Sequence, residues 1–303
     1  MKMKRKTPSS PPGTGLTPSN TAPSPAGKAP PPAVTVPTPS GTTLRPSAAI
    51  LSASAPSVTV LAPQAPTPQT VPGTWVKRLF AAYSHRARAR RARLFRERFT
   101  LTETTRILDL GSETGAAIRV VLEGTAVRPE HVYIADIRPD VVLSGARQYG
   151  FMPVVVPESG SLPFPDGFFD IVHCSSVIEH VTLPKEEVWR VTSGKQFRRD
   201  AWARQQQFAA EIRRLGRQFF VQTPYKHFPL ESHSWLPFVA WLPRGMLLRL
   251  FRLTNRFWVK KTAPDWNLLV RAQLAQLFPD ARIVAEKSFG LTKSLMAAKT
   301  DQT

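Results

Sequence analysis

The 303-residue chain contains one cysteine, Cys174, so no intrachain disulfide can form and no cluster of thiolates can hold a metal. It also lacks an uninterrupted apolar run of about 20 residues, the length a membrane-spanning helix needs. The most apolar stretch, 236–259, is broken by Pro237, Pro243, Arg244 and Arg249. Residues 1–72 have no Asp, Glu, Phe, Tyr or Trp, yet hold 17 of the 30 prolines. A segment of this kind cannot bury enough apolar surface to offset its ordering entropy, so a disordered tail with polyproline character is expected. Met1–Lys6 is basic, but no hydrophobic core follows, as a secretory signal would require. The tail reads either as the leader of a cytoplasmic protein or as an organelle transit peptide.

The formal charge of +20 is unevenly spread. The tail carries six Lys/Arg and no acid, residues 73–100 carry nine against Glu97, and the remainder holds 26 basic against 20 acidic residues. The basic excess therefore lies on the tail and on one segment, a pattern that attracts anionic membranes or nucleic acid. Those arginines, at 86, 88, 90, 91, 93, 96 and 98, are interleaved with Trp75, Leu79, Tyr83, Leu94 and Phe99 at helical spacing. This predicts a basic helix over 73–100, either a solvated face or a contact for membrane or RNA.

From 101 to 303 the pattern is that of one α/β domain, with no internal repeat. Strands are predicted at Arg106–Leu110, Val132–Asp136, Pro153–Val156, Asp170–His173, Gln218–Gln222, Arg282–Ala285 and Thr292–Ala298, and helices at Gly115–Leu122, from Pro139, and at Ala201–Leu215. Such alternation implies a seven-stranded, mostly parallel sheet with helices on both faces.

The sharpest local signal is Ile107–Gly115, ILDLGSETG. Gly111 permits a tight turn and close approach of a ligand, Gly115 lets the following helix start close to its strand, and the helix start presents free N–H groups. Asp136 ends the next strand about 20 residues further on, where a carboxylate either accepts hydrogen bonds from ribose hydroxyls or caps the helix beginning at Pro139.

These features, together with Leu162–Val181 (LPFPDGFFDIVHCSSVIEHV), resemble the class I S-adenosylmethionine-dependent methyltransferases, in particular the type 11 subgroup. The matching elements are the Leu162-Pro163-Phe164 turn, the Phe169-Asp170 pair entering strand four, and the Glu179-His180 pair after it. Thr223–Pro243 and Gly290–Ala297 also look like parts of bacterial members. The resemblance implies a Rossmann-like fold and S-adenosylmethionine as cofactor. It places Asp109, Gly111 and Gly115 at the methionine end of that cofactor, Asp136 on the ribose, Glu158 on the adenine amino group, and Ser175 and Ser176 at the transfer site. Two departures stand out: Glu113 occupies the usual middle glycine of the loop, and 183–199 is longer than usual.

A sulfonium methyl donor is already electrophilic, so the protein must align an acceptor and deprotonate it where it is an alcohol or phenol. Histidine suits that task near neutral pH. His180 is the expected base, with His233 and His227 as weaker alternatives that otherwise have structural roles. No metal site is expected, because His227, Glu231 and His233 lack a recognisable ligand spacing. No Asn/Asp-Pro-Pro-aromatic motif follows strand four, which disfavours methylation of nucleic-acid amino groups.

Pro229–Trp258, in an insertion over about 226–262, is rich in aromatics and leucine and suits an apolar acceptor pocket. In Met246–Val259, Arg249, Arg252 and Arg256 share one helical face and Met246, Leu250, Leu253 and Phe257 another. That helix either lies on an anionic membrane or packs its apolar side on the domain. The expected activity is O- or C-methylation of a small-molecule or lipid-like acceptor. The alternatives are a non-catalytic or RNA-directed protein on the same fold and a nicotinamide-dinucleotide enzyme.

Overall fold

The computed structural model describes residues 74–157, 161–258 and 260–301, with the backbone alone for 74–82. The chain divides into two units, Met1–Pro66 and Thr67–Thr303. The first unit, and with it the tail expected over 1–72, lies outside the described residues.

Seven strands form one sheet: β1 (Ile107–Leu110), β2 (Val132–Asp136), β3 (Met152–Val155), β4 (Phe169–Ser175), β5 (Gly216–Pro224), β6 (Arg282–Ser288) and β7 (Leu291–Lys299). Their order is β3-β2-β1-β4-β5-β7-β6. The pairs β3-β2, β2-β1, β1-β4 and β4-β5 are parallel, and β7 runs antiparallel to both β5 and β6. The expected mostly parallel, seven-stranded architecture is present. All seven expected strands are in it, several extended by two or three residues at an end.

Seven α-helices accompany the sheet among the described residues: α1 (Thr74–Arg98), α2 (Ala116–Val121), α3 (Pro139–Tyr149), α4 (Lys185–Val188), α5 (Gly194–Leu215), α6 (Arg244–Thr254) and α7 (Arg271–Leu277). Side chains alternate across a strand, so β1 feeds two cores. Leu108 and Leu110 join Ala209, Ile212, Leu274 and Phe278 of the α5/α7 layer. Ile107 joins Phe95, Phe99, Ile118 and Val142 on the opposite layer.

The basic helix is part of this second layer. Ala87, Ala92, Phe95 and Phe99 form its buried stripe. Two of its arginines hold structure: Arg96 donates to Val121 O at 2.9 Å, a carbonyl at the end of α2, and Arg91 pairs with Glu286 at 3.0 Å. Arg86, Arg88, Arg90 and Arg93 remain exposed.

The family-like turn at Leu162–Phe164 has a mechanical cause. Arg214 near the end of α5 donates to Leu162 O (3.0 Å) and Phe164 O (2.7 Å), while Glu211 accepts the Leu162 N–H at 2.8 Å. The Phe169-Asp170 pair works alike: Phe169 is fully buried, and Asp170 accepts the Arg106 N–H at 2.8 Å, fixing the entry of β4 beside β1.

The 226–262 region carries a small core of its own, Val239, Leu247, Phe251, Trp266 and Leu268. Arg244 secures it: its guanidinium donates to Val188 O, Val191 O and Pro264 O and lies 3.4 Å above the Phe197 ring. Burial lowers its pKa to about 10. The face of α6 turned inward is Leu247, Leu248, Phe251 and Thr254. Most of the apolar set expected to pack on the domain instead meets solvent, with Met246, Leu253 and Phe257 exposed beside Arg249, Arg252 and Arg256.

Candidate functional site

Strand order decides where the site lies. From β1 the chain steps outward through β2 to β3, then crosses back to lay β4 on the other side of β1. Open α/β sheets bind ligands at the carboxyl ends of the strands flanking such a reversal. The tips of β1 and β4, with β2 and β5 outside them, therefore converge on one crevice.

At the tip of β1, Gly111 and Gly115 both have positive φ, 76° and 77°. A Cβ at Gly111 would lie 2.5 Å from Val177 Cγ2, and one at Gly115 would lie 2.9 Å from Ile134 Cγ2 and 3.0 Å from Phe151. The second glycine thus seats the start of α2 against β2, as the sequence suggests. Gly145 of α3 matters equally and is not evident from sequence: a Cβ there would fall 2.1 Å from Thr114 O. The glycine turn is clamped from below by α3.

Asp136 is buried, and its carboxylate accepts the N–H groups of Glu113 (Oδ2, 3.1 Å) and Arg138 (Oδ1, 3.1 Å), with Arg138 Nε at 3.4 Å. Glu113, at φ 53°, turns its side chain outward; it is 74% exposed and sits 3.4 Å from Arg138. Glu113 is also among the residues that line the cleft described below. A carboxylate has about four acceptor positions, so Asp136 retains one for a further donor.

Parallel register puts Asp109 opposite His173, with both side chains on the α1 face. They hydrogen-bond at 2.6 Å, Asp109 Oδ1 to His173 Nδ1, in a buried setting. The imidazole is held between aromatic rings, parallel to Phe220 and edge-on to Phe95. Ser175 and Ser176 both donate to Gln222 Oε1, at 2.7 and 3.0 Å. His173, Ser175, Ser176 and Gln222 line a cleft of about 930 Å³, which α1 borders through Arg88 and Arg91, the 112–117 turn on another side, and Tyr225–Trp235 opposite.

The predicted site residues separate into groups. Gly111, Gly115, Asp109, Asp136, Ser175 and Ser176 all lie at or near the tips of β1, β2 and β4, and of these Ser175 and Ser176 line the cleft. Glu158 lies outside the described residues. His180 and His233 are absent from the cleft's lining, although Glu231 beside His233 is part of it. The two histidines instead pack ring to ring at 4.5 Å. His180 Nδ1 is 3.3 Å from Asp265, and His233 hydrogen-bonds Glu231 through Nδ1 while its Nε2 sits 3.6 Å from Glu179. Burial alone would lower the His233 pKa, but Glu179 and Glu231 outweigh it and raise it to about 9. His227 stands apart, exposed against Tyr225. Burial, aided by the nearby Glu179 and Asp109 charges, pushes the Cys174 thiol well above its usual pKa, which leaves it a poor nucleophile.

His173 and Asp265 were not singled out in the sequence, and Glu179 and Glu231 were noted there without the grouping the fold gives them. One signal was present: a histidine inside an otherwise apolar strand needs a polar partner, and Asp109 is the one polar residue of β1.

A sheet of this order, with a glycine turn and a paired acid at the neighbouring strand tip, is the Rossmann-like arrangement that the sequence resemblance implied. Residues 108–194, from β1 into the start of α5, match the type 11 family model described as a methyltransferase domain. No curated protein matches the chain. Similar solved structures include a SAM-dependent methyltransferase from Aquifex aeolicus, at 14% identity over 68% of this chain and 86% of that one, TM-score 0.38. Another is the magnesium protoporphyrin IX methyltransferase of Synechocystis with bound SAH, at 16% identity over 75% and 82%, TM-score 0.36.

Proposed function

We propose that the domain binds S-adenosylmethionine across the glycine turn and Asp136, and transfers its methyl group to a small-molecule or lipid-like acceptor held in the cleft. The observation that carries this reading is the reversal of strand order, which sets the 111–115 turn beside Asp136 through the Glu113 N–H, with Ser112, Glu113 and Thr114 of that turn lining the 930 Å³ cleft. The residues present fit the cofactor: Asp136 keeps an acceptor position for a ribose hydroxyl, and the Glu113 side chain is largely exposed beside Arg138. When bound, the cofactor supplies a methyl group on a positively charged sulfur. Closure by α1 and the 225–235 segment excludes water and aligns the acceptor.

Where the acceptor carries a labile proton, His173, which lines the cleft at the end of β4 and is backed by Asp109, is placed to take it. Asp109 engages Nδ1 and stabilises the imidazolium, leaving Nε2 for the cleft.

The lipid-like reading draws support from the surface of the 226–262 region. Phe238, Trp241, Met246, Leu253 and Phe257 are each more than half exposed. Residues 232–264 contain six Lys/Arg and no acid. Aromatic side chains set among arginines suit an anionic bilayer.

Calorimetry with S-adenosylmethionine and S-adenosylhomocysteine is the first test; micromolar binding that Asp136→Ala abolishes is expected. Transfer of labelled methyl into fractionated lipid, metabolite, RNA and protein pools then identifies the acceptor class. His173→Gln should retain cofactor binding while lowering turnover by about 100-fold, the scale of a lost general base. Failure of the wild-type protein to bind either ligand sinks the proposal.

A further inference from the structure

We propose that Glu179, His180 and His233 form a binding site for a divalent transition-metal ion of the zinc class, set behind the cleft wall and joining two separate chain segments. Glu179 and His180 belong to the single helical turn Ile178–His180 after β4, and His233 comes from the segment after β5. One donor atom from each lies within 4.8 Å of the others.

Three features beyond proximity point to a cation. Glu179 is fully buried; its Oε2 accepts the Thr223 hydroxyl at 2.9 Å, but its Oε1 has no hydrogen-bond partner and faces His233 Nε2. A buried carboxylate oxygen without a donor is costly unless a cation satisfies it. Next, both imidazoles are held from behind by carboxylates. Glu231 accepts from His233 Nδ1 and also takes the N–H and hydroxyl of Ser234, and Asp265 stands 3.3 Å from His180 Nδ1. Metal-binding histidines are typically oriented in this way, through their second ring nitrogen. Finally, three carboxylates meet here, and among the described residues no lysine or arginine pairs with any of them.

Two imidazole nitrogens and one carboxylate oxygen suit zinc, cobalt or nickel rather than magnesium or calcium, which prefer oxygen ligands. The backbone is braced to hold the cluster: Asn267 N–H donates to Glu179 O at 2.8 Å, the Thr182 hydroxyl to Asp265 O at 2.6 Å, and the buried Gln205 side chain to Ile178 O and Asn267 O. An ion at this point ties the post-β4 turn, through Asp265, to the aromatic region that forms one wall of the cleft.

The inference is independent of methyl transfer, because its readout is metal binding. Chelator-treated full-length protein is titrated with Co²⁺ and followed by its visible ligand-field absorption, with Zn²⁺ competition. One ion per chain is expected, displaced by Zn²⁺. His233→Gln and Glu179→Gln should weaken binding at least 100-fold, Glu231→Gln about 10- to 100-fold through the lost orientation of His233, and His131→Ala not at all. If the buried variants do not fold, His180→Gln carries the test, since that side chain is 35% exposed. Absence of a Co²⁺ spectrum, or a titration unchanged by these substitutions, overturns the proposal and leaves a protonated His233 bridging Glu179 and Glu231 as the cluster's only cation.

Discussion

Glu113 occupies a left-handed backbone position that disfavours L side chains by about 1–2 kcal/mol, yet its carboxylate is largely exposed and lies 3.4 Å from Arg138. The strain therefore falls on the loop and not on the ligand. Glu113→Gly should shift cofactor affinity by less than about threefold, or ~0.6 kcal/mol, as read by calorimetry; a tenfold gain would mean the side chain does obstruct the site. At the Leu162–Phe164 turn, Glu211 is held below the usual carboxylate range by Arg214, which outweighs its partial burial, with help from the Leu162 N–H. A depressed folded pKa gives stability that is present above the unfolded value near 4.3 and is lost as pH falls through the folded one. Glu211→Gln should then cost about 1 kcal/mol at neutral pH. Denaturant melts of the two proteins should converge as pH falls below about 4.

Among the elements, α3 controls the glycine turn. In an ordinary helix interior, Gly→Ala stabilises by about 1 kcal/mol. At Gly145 the added Cβ would lie 2.1 Å from a backbone oxygen of Thr114, and overpacking of that kind costs about 1–3 kcal/mol. The clash is expected to win: Gly145→Ala should lower the melting temperature and weaken cofactor binding together. A higher melting temperature would show that the turn yields easily. The motif positions of the turns and of β4 were legible in the sequence because local backbone demands impose them. The clamp by Gly145 was not, since nothing near residue 145 reports what packs against it.

For the molecule as a whole, the charge distribution makes a separate claim. Five basic residues over 245–264 without an acid, beside five exposed apolar side chains, should bind vesicles containing anionic lipid. Each Lys/Arg near such a surface contributes about 1 kcal/mol, screened beyond a Debye length. Co-sedimentation should fall steeply between about 0.05 and 0.5 M salt. Glutamate at Arg249, Arg252 and Arg256 together should abolish it with no change in cofactor affinity. Equal binding to neutral vesicles would refute the electrostatic part.

The sequence alone determined the strand and helix pattern, the glycine turn with its acid partner, and the absence of disulfides, because each follows from local periodicity, backbone conformation or composition. Tertiary structure decided which histidine faces the cleft, which side of α6 is buried, and which carboxylates meet around His180 and His233. Those outcomes depend on strand order and parallel register. Asp109 and His173 are 64 residues apart in the chain, and only the placement of β4 beside β1 makes them neighbours.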